Sequence, residues 1–213
     1  MADDRATHWD SRYAGAEPER LSWFEASPDV SMMLIRQAVG PEAGVIDVGG
    51  GASRLVDVLL EAGYRDVTVL DLSAEALARS RFRLGARADA PDWQVADITC
   101  WQPGRCYDLW HDRAVFHFLT EAEDRAAYAR ALHSALAPGG TAIIMTFADD
   151  GPETCSGLPV QRYAPEDLAA TFELLLPGAF AVLSSGRVSH VTPGGAEQRF
   201  QYTVLRRDAA PAP

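Results

Sequence analysis

The sequence predicts a three-layer α/β fold, with a mostly parallel sheet covered by helices on both faces. Three observations carry this prediction. Between residues 44 and 147, short β-branched runs alternate with stretches of helical periodicity, the pattern of parallel strands joined by crossover helices. The first of these runs ends directly in three glycines, Gly49 to Gly51. Toward the end of the chain the alternation stops. Ala179 to Val191 and Arg199 to Arg206 flank the turn Thr192-Pro193-Gly194-Gly195, which reads as an antiparallel hairpin added to the sheet.

In chain order, Thr7 to Ala14 reads as a short helix capped by Thr7, and Pro28 to Val39 as a second, capped by Ser27 with Pro at its first position. Gly44 to Val48 is an apolar strand. Ser53 to Ala62 has helical periodicity through Leu55, Val56, Leu59 and Leu60 and stops at Gly63. Asp66 to Leu72 is a β-branched strand, and Ser73 caps a helix reaching about Leu84. Asp92 to Ala96 and Tyr107 to Trp110 are strands, followed by a helix from Glu121 to Leu136, a turn at Pro138-Gly139-Gly140 and an apolar strand from Thr141 to Phe147. The connection Ala148 to Tyr163 is long for a structureless segment, as functional lids often are. The tail from Asp208 to Pro213 is small residues and Pro, the composition of a frayed end.

The chain has 213 residues, 47% hydrophobic and 23% charged, enough to bury one core and typical of a single folded domain. Every basic residue other than His is Arg, an absence of Lys that, with the absence of Asn, reads as codon bias. A net charge of -11 disfavours phosphate backbones and anionic membrane surfaces as partners. No run approaches the roughly 18 apolar residues of a membrane span, and no signal peptide is visible behind the N-terminal Met. Cys100, Cys106 and Cys155 are odd in number and lack paired or zinc-like spacing, so neither a disulfide framework nor a metal site is expected. A cytoplasmic protein, monomer or homodimer, fits these bounds.

The strongest local signal is Val45 to Gly51. A strand leads into a loop without β-carbons, so a ligand can approach the backbone closely, and the following helix aims its free N–H groups there. The dinucleotide pattern G-x-G-x-x-G fails, because its third glycine would be Arg54. An acidic residue two before a G-x-G is met instead by Asp47, Gly49 and Gly51. A carboxylate beside the loop suits a cationic ligand better than a pyrophosphate. Asp71 ends the second strand, 20 residues after Gly51, where a carboxylate can accept both hydroxyls of a ribose. Asp97 follows the third; alone it reads as a turn Asp, and in this series as an acceptor for an adenine amino group.

This ordered set, with the strand Tyr107 to Trp110 and the Pro138-Gly139-Gly140 turn, resembles the class I S-adenosylmethionine (SAM)-dependent methyltransferases over about residues 44 to 147. The resemblance implies a Rossmann-like, mostly parallel seven-stranded sheet with an antiparallel C-terminal strand. It also implies SAM as cofactor and S-adenosylhomocysteine as product. Gly49 and Gly51 would contact the methionine part, with Gly50 between them; Asp71 with Leu72 would take the ribose, and Asp97 with Ile98 the adenine. His8 to Tyr13 resembles the W-D-x-R-Y opening of small members, in which Trp9, Arg12 and Tyr13 form a lid; alternatively Trp9 and Tyr13 dock a helix on the core. Leu21 to Phe24 and Asp108 to Leu119 resemble a subgroup distantly similar to thiopurine and small-molecule methyltransferases. The expected layout is a helical cap (1–40), a cofactor core (44–147), a substrate-side loop (148–164) and a C-terminal helix and hairpin (165–207).

The implied reaction is in-line methyl transfer to a small-molecule acceptor, for which alignment and exclusion of water matter most. His111 and Asp112 are expected just past the fourth strand, facing the methyl. His111 is the first candidate for general base or acceptor positioning; Asp112 either assists it or caps a helix. His117, alone in an apolar run, reads as a packed core residue. Cys155, Arg162 and Tyr163 are the candidate acceptor contacts, Arg162 for a carboxylate or, alternatively, as a structural loop residue. Alternatives are a SAM-binding sensor or partner protein without transfer activity, a protein methyltransferase, and an NAD-dependent oxidoreductase, the last weakened by Arg54 and Asp47.

Overall fold

The computed structural model describes residues 2–15 and 17–208; the small-residue tail beyond Asp208, expected to fray, lies outside them. Its strands are β1 (Val45–Val48), β2 (Val67–Asp71), β3 (Asp92–Val95), β4 (Tyr107–Arg113), β5 (Leu136–Phe147), β8 (Phe180–Val191) and β9 (Glu197–Arg207), with a two-residue pair β6 (Thr154–Cys155) and β7 (Leu158–Pro159) between β5 and β8. The helices are α1 (Ala2–Ala14), α2 (Asp29–Ala38), α3 (Leu55–Glu61), α4 (Ala74–Leu84), α5 (Ala122–Ala135) and α6 (Pro165–Leu175).

The seven-stranded sheet has the order β3-β2-β1-β4-β5-β9-β8. Strands β1 to β5 pair in parallel, and β9 enters antiparallel between β5 and β8. The order reverses between β1 and β4. In an open α/β sheet this switch point opens a crevice at the carboxyl ends of the strands, where ligands bind.

Alternation along the strands sorts the core into two layers. Ile46, Trp110 and Ile144 face Tyr128, Leu132 and Phe172 of α5 and α6. Val45, Leu109 and Ile143 face Leu34, Ile35, Leu59 and Leu77 of α2, α3 and α4. Apolar residues on both faces explain why β1 and β2 read as continuous hydrophobic runs.

The helix starts divide by capping chemistry. Ser73 accepts a hydrogen bond from the Ala76 N–H at 3.1 Å, as its sequence position predicts. Thr7 does not start a helix: α1 begins at Ala2 and carries Thr7 in its interior. Ser27 donates to the Asp29 carboxylate at 2.5 Å, and Pro28 takes the cap position of α2 without a side-chain bond.

Two strands are longer than their apolar cores. Strand β4 continues through His111, Asp112 and Arg113, paired with Asp47 and Val48 on one side and with Ile143 to Met145 on the other. Strand β5 takes in Pro138 to Gly140 as an irregular stretch, where its register with β4 shifts between Tyr107 and Leu109 and Gly139 has a φ of +81°. The expected turn is therefore a strand irregularity, which a Pro tolerates and a Gly permits. The segment Ala148 to Tyr163 is also more ordered than predicted: β6 and β7 fold it back on itself, and Ala148 bridges Tyr163.

Candidate active site

The glycine loop leaves β1 at the switch point. The Gly49 N–H donates to the Leu70 carbonyl at 2.7 Å, and Gly49 has a φ of +70°. A β-carbon on Gly49 would lie 2.0 Å from Val115 Cγ2; one on Gly51, whose φ is +38°, would lie 2.8 Å from Asp71 Oδ2 and 3.1 Å from the Tyr13 hydroxyl. The loop is thus a backbone cradle in which side chains other than hydrogen do not fit.

Above it lies a cavity of about 310 Å³. One end sits over β2 and β3 and is lined by Leu70, Asp71, Leu72, Asp97 and Ile98. The other sits over β4 and the β6–β7 pair and is lined by Trp23, Arg113, Phe118, Cys155 and Leu158. Helix α1 covers it with Arg5, Trp9 and Tyr13. Trp9 packs edge-on against Trp23, with centroids 5.7 Å apart, and against Phe118 at 5.1 Å. Its fellow Tyr13 is buried, and burial, aided by the Asp71 charge, raises its phenol well above the ordinary range. Trp9 and Tyr13 thus pack α1 against Trp23 and border the cavity.

Asp71 is buried at the end of β2 with Oδ1 accepting the Ser73 N–H at 2.8 Å. Desolvation, reinforced by the charges of Asp47 and Asp10, raises its pKa to about 7. Asp97 Oδ1 accepts from the backbone and hydroxyl of Thr99 at 2.9 and 2.7 Å, and Oδ2 pairs with the Arg5 guanidinium at 3.1 Å.

His111 and Asp112 do not lie past the strand end. They are interior residues of β4, and strand alternation turns them to opposite faces of the sheet. His111 Nδ1 is 2.7 Å from Asp47 Oδ1, and Nε2 is 3.0 Å from Ser31 Oγ of α2. Asp112 accepts the Val115 and Phe116 N–H groups at 2.8 and 3.1 Å and the Tyr128 hydroxyl at 2.5 Å. Burial raises its pKa to about 6, held down by those same donors. Asp47, rather than Asp112, is therefore the carboxylate that orients His111, and neither His111 nor Asp112 lines the main cavity. His111 and Asp47 border a smaller recess of about 60 Å³ beside the glycine loop, with Glu25, Ser31 and Arg113.

Of the three expected acceptor contacts, Cys155 lines the cavity; it is buried, and desolvation raises its thiol to about 11. Arg162 instead binds the Gly151 carbonyl at 3.0 Å and Glu153 at 3.1 Å, the structural alternative. Tyr163 packs against Phe116, and neither residue lines the cavity. His117 is a core residue: its Nδ1 accepts the Phe147 N–H at 3.2 Å, and burial, with the nearby Arg113, lowers its pKa to about 3.

Arg113, Arg5 and Phe118 are among the cavity residues that sequence reasoning did not single out. Arg113 sits where β4 ends, one residue beyond Asp112, and strand length was the signal that would have found it. Among the described residues, no group of three or more His, Cys, Asp or Glu is placed to hold a metal, and no helix is long and apolar enough to cross a membrane.

Residues 46–142 match the family model of a methyltransferase domain. No curated protein matches the chain. Among solved structures, one from work on converting a disulfide bond into a thioacetal group during echinomycin biosynthesis is 25% identical, with TM-score 0.73 over 95% of this chain and 93% of that one. The 1,6-didemethyltoxoflavin-N1-methyltransferase of Burkholderia thailandensis, with bound 1,6-didemethyltoxoflavin and S-adenosylhomocysteine, is 20% identical, with TM-score 0.75 over 98% and 91%. The N-methyltransferase NodS of Bradyrhizobium japonicum WM9, in complex with S-adenosylhomocysteine, is 17% identical, with TM-score 0.70 over 95% and 97%. The matched domain, the strand order and the glycine loop at the switch point agree: residues 46–142 carry a methyltransferase domain, on a fold that the chain shares with SAM-dependent methyltransferases.

Proposed function

We propose that the protein transfers a methyl group from SAM to a small-molecule acceptor. The observation that carries this reading is the single cavity running from Asp71 and Asp97, across the glycine cradle, to Trp23, Arg113 and Cys155. One end offers carboxylates for an adenosine and the other an enclosed apolar chamber for an acceptor.

SAM, when bound, supplies a methyl group activated by its sulfonium. The chain's own residues then have four tasks. Asp71 accepts the ribose hydroxyls, with Leu72 against the sugar. Asp97 and Ile98 border the adenine; Thr99 takes both hydrogen bonds to Asp97 Oδ1, and Oδ2, ion-paired with Arg5 but accepting no hydrogen bond, is left for an exocyclic amino group. Gly49, Gly50 and Gly51 give the methionine part close approach to the backbone. Trp9, Tyr13, Trp23 and Phe118 exclude water and align the acceptor, the main requirement of an in-line displacement.

In this reading His111 and Asp112 are positioning residues. His111 holds the Asp47 carboxylate under the loop, and Asp112, through the Val115 and Phe116 N–H groups, fixes the turn whose Ala114 and Val115 wall the cavity. Cys155 contributes a neutral, polarisable contact at the acceptor end. The similarity to small-molecule methyltransferases supports this choice of acceptor over a protein side chain, as does the enclosure of the chamber by α1 and β6–β7.

Calorimetric titration with S-adenosylhomocysteine, with NAD as control, tests the reading. Wild type is expected to bind S-adenosylhomocysteine and not NAD, and Asp71→Ala to lose at least tenfold in affinity, the equivalent of about 1.4 kcal/mol. Preference for NAD, or no binding to wild type, would overturn it.

A further inference from the structure

The acceptor end of the cavity has a particular chemistry. Its wall is aromatic and aliphatic: Trp9, Trp23, Phe118, Leu158 and Pro159. Into it projects one buried cation. Arg113 stands at the carboxyl end of β4 with its side chain 13% exposed. Nη1 donates to the Trp23 carbonyl at 3.1 Å, and the guanidinium stacks on Phe200 at 4.8 Å. Nη2 lies 3.1 Å from Glu25 Oε1, yet makes no hydrogen bond of good geometry. Glu25 is itself shared with His190, 3.7 Å away. A buried guanidinium has five N–H donors to satisfy, so Arg113 retains donor capacity inside an apolar chamber, where a charged hydrogen bond is strongest.

The same end has no general base. The residues that line it include neither a carboxylate nor an imidazole; His111 and Asp112 point away into the two core layers. An acceptor bound here must bring a nucleophile with a free electron pair, which for an oxygen means one already deprotonated.

We infer that the acceptor is a planar aromatic molecule carrying one anionic oxygen group, a carboxylate or acidic phenolate, anchored by Arg113 and stacked among Trp9, Trp23 and Phe118. This rests on the methyltransferase reading and deepens it. The acceptor's anionic oxygen forms the bond to the methyl carbon as the carbon–sulfonium bond breaks. That bond's electron pair stays on sulfur, both charges are neutralised, and no proton changes hands, so no base is required.

The test is binding, read by quenching of tryptophan fluorescence, of benzoate against its neutral isostere benzamide. Both are titrated into protein saturated with S-adenosylhomocysteine and into the ligand-free protein. Wild type is expected to prefer benzoate at least tenfold. Arg113→Lys keeps a charge but not the planar fork and is expected to retain a reduced preference. The double variant Arg113→Met with Glu25→Gln, which leaves no unpaired buried charge behind, is expected to lose it. Equal binding of the two probes, no binding of either, or a preference that survives in the double variant overturns the proposal. Failure of S-adenosylhomocysteine to bind would sink the methyltransferase reading alone, because the Arg113-dependent preference for benzoate is still read in the ligand-free protein.

Discussion

Asp47 and His111 are direct partners across the β1–β4 pairing, and their side chains meet at 2.7 Å on the face that packs against α2. Ser31 of α2 closes the series at 3.0 Å from the other imidazole nitrogen. Asp47 Oδ2 lies 2.5 Å from where a β-carbon of Gly50 would stand. The carboxylate thus supports the glycine loop from below, and the imidazole supports the carboxylate. The three residues are buried in the midst of apolar neighbours, where an unpartnered polar group is costly.

Replacing His111 by Ala should therefore act on stability before chemistry. It leaves the Asp47 carboxylate buried without its partner, a loss of roughly 3 kcal/mol. For a chain of this size each kcal/mol moves the melting temperature by about 2–4 °C. Ser31→Ala, which removes one neutral bond, should cost roughly 1 kcal/mol. Calorimetry on the two variants checks the order; equal melting temperatures for wild type and His111→Ala would show that the imidazole does not hold Asp47.

Asp71 gives a pH prediction. Its folded pKa, about 7, lies above the unfolded value of about 3.9, so between those values the folded state binds more protons. Stability is then fully present below about pH 4 and declines as pH rises through about 7. Asp112, raised to about 6, adds to the same slope. Asp71→Asn should flatten, though not abolish, the fall in melting temperature between pH 5 and pH 8. In the proposed reading the carboxylate form takes the ribose hydroxyls, so affinity for S-adenosylhomocysteine should rise over that window in wild type and not in the variant. An unchanged melting profile in Asp71→Asn would place the titrating group elsewhere.

Tyr128→Phe removes the 2.5 Å bond to Asp112 and the 2.9 Å acceptor of the Trp110 indole. Loss of a donor to the carboxylate pushes the Asp112 pKa up further, so the cost should be larger at pH 8 than at pH 5, where Asp112 is protonated. Roughly 1–3 kcal/mol is expected at the higher pH. Urea denaturation at the two pH values separates this from a cost of packing alone, which would be the same at both.

Much of this architecture was legible because its causes are local. The cap at Ser73, the stop at Gly63 and the glycine cradle each follow from residues within one turn of chain. The end of β4 was not, because His111, Asp112 and Arg113 are polar and local patterning ends the strand at Trp110. They belong to it because each finds a distant partner: Asp47, Tyr128 and Glu25 lie 64, 16 and 88 positions away, and the first two bury fully. Likewise Arg5 became a cavity residue through Asp97 and Asp124, pairs that no spacing announces. The glycine-loop half of the cavity follows from motif; the half at Trp23, Arg113 and Cys155 is assembled from tertiary contacts.

Gly51→Ala should separate binding from folding. At a φ of +38° a side chain carries strain of roughly 1–2 kcal/mol, and the added methyl would stand 2.8 Å from Asp71 Oδ2. Asp71 must turn away, so affinity for S-adenosylhomocysteine should fall by more than tenfold, beyond what the loss of stability accounts for. A variant that is destabilised but binds as wild type does would remove Asp71 from the cofactor site.

The wall of the cavity at Cys155 and Leu158 is tied down by Arg12, whose Nη2 donates to the Ser156 carbonyl at 2.6 Å and so joins α1 to the β6–β7 turn. Ser156 has a φ of +54°, a conformation that a residue other than Gly holds only where its surroundings impose it. Without the bond, the turn should open more often and expose Cys155. Two opposing effects then act on that thiol. Arg12 is one of the cations that draw the Cys155 pKa down from its desolvated value, so its removal alone would slow alkylation. Opening instead returns the thiol toward the ordinary value of about 8.5, which increases the thiolate far more. Arg12→Ala should therefore speed the slow phase of thiol labelling at pH 8 several-fold, with Cys100 and Cys106, both exposed, reacting fast in either protein. Cys155→Ser in the same background identifies the slow phase by abolishing it. If the slow phase is unchanged or slower in Arg12→Ala, the turn stays shut without the arginine, and its closure rests on the packing of Cys155 with Phe147 and Phe200.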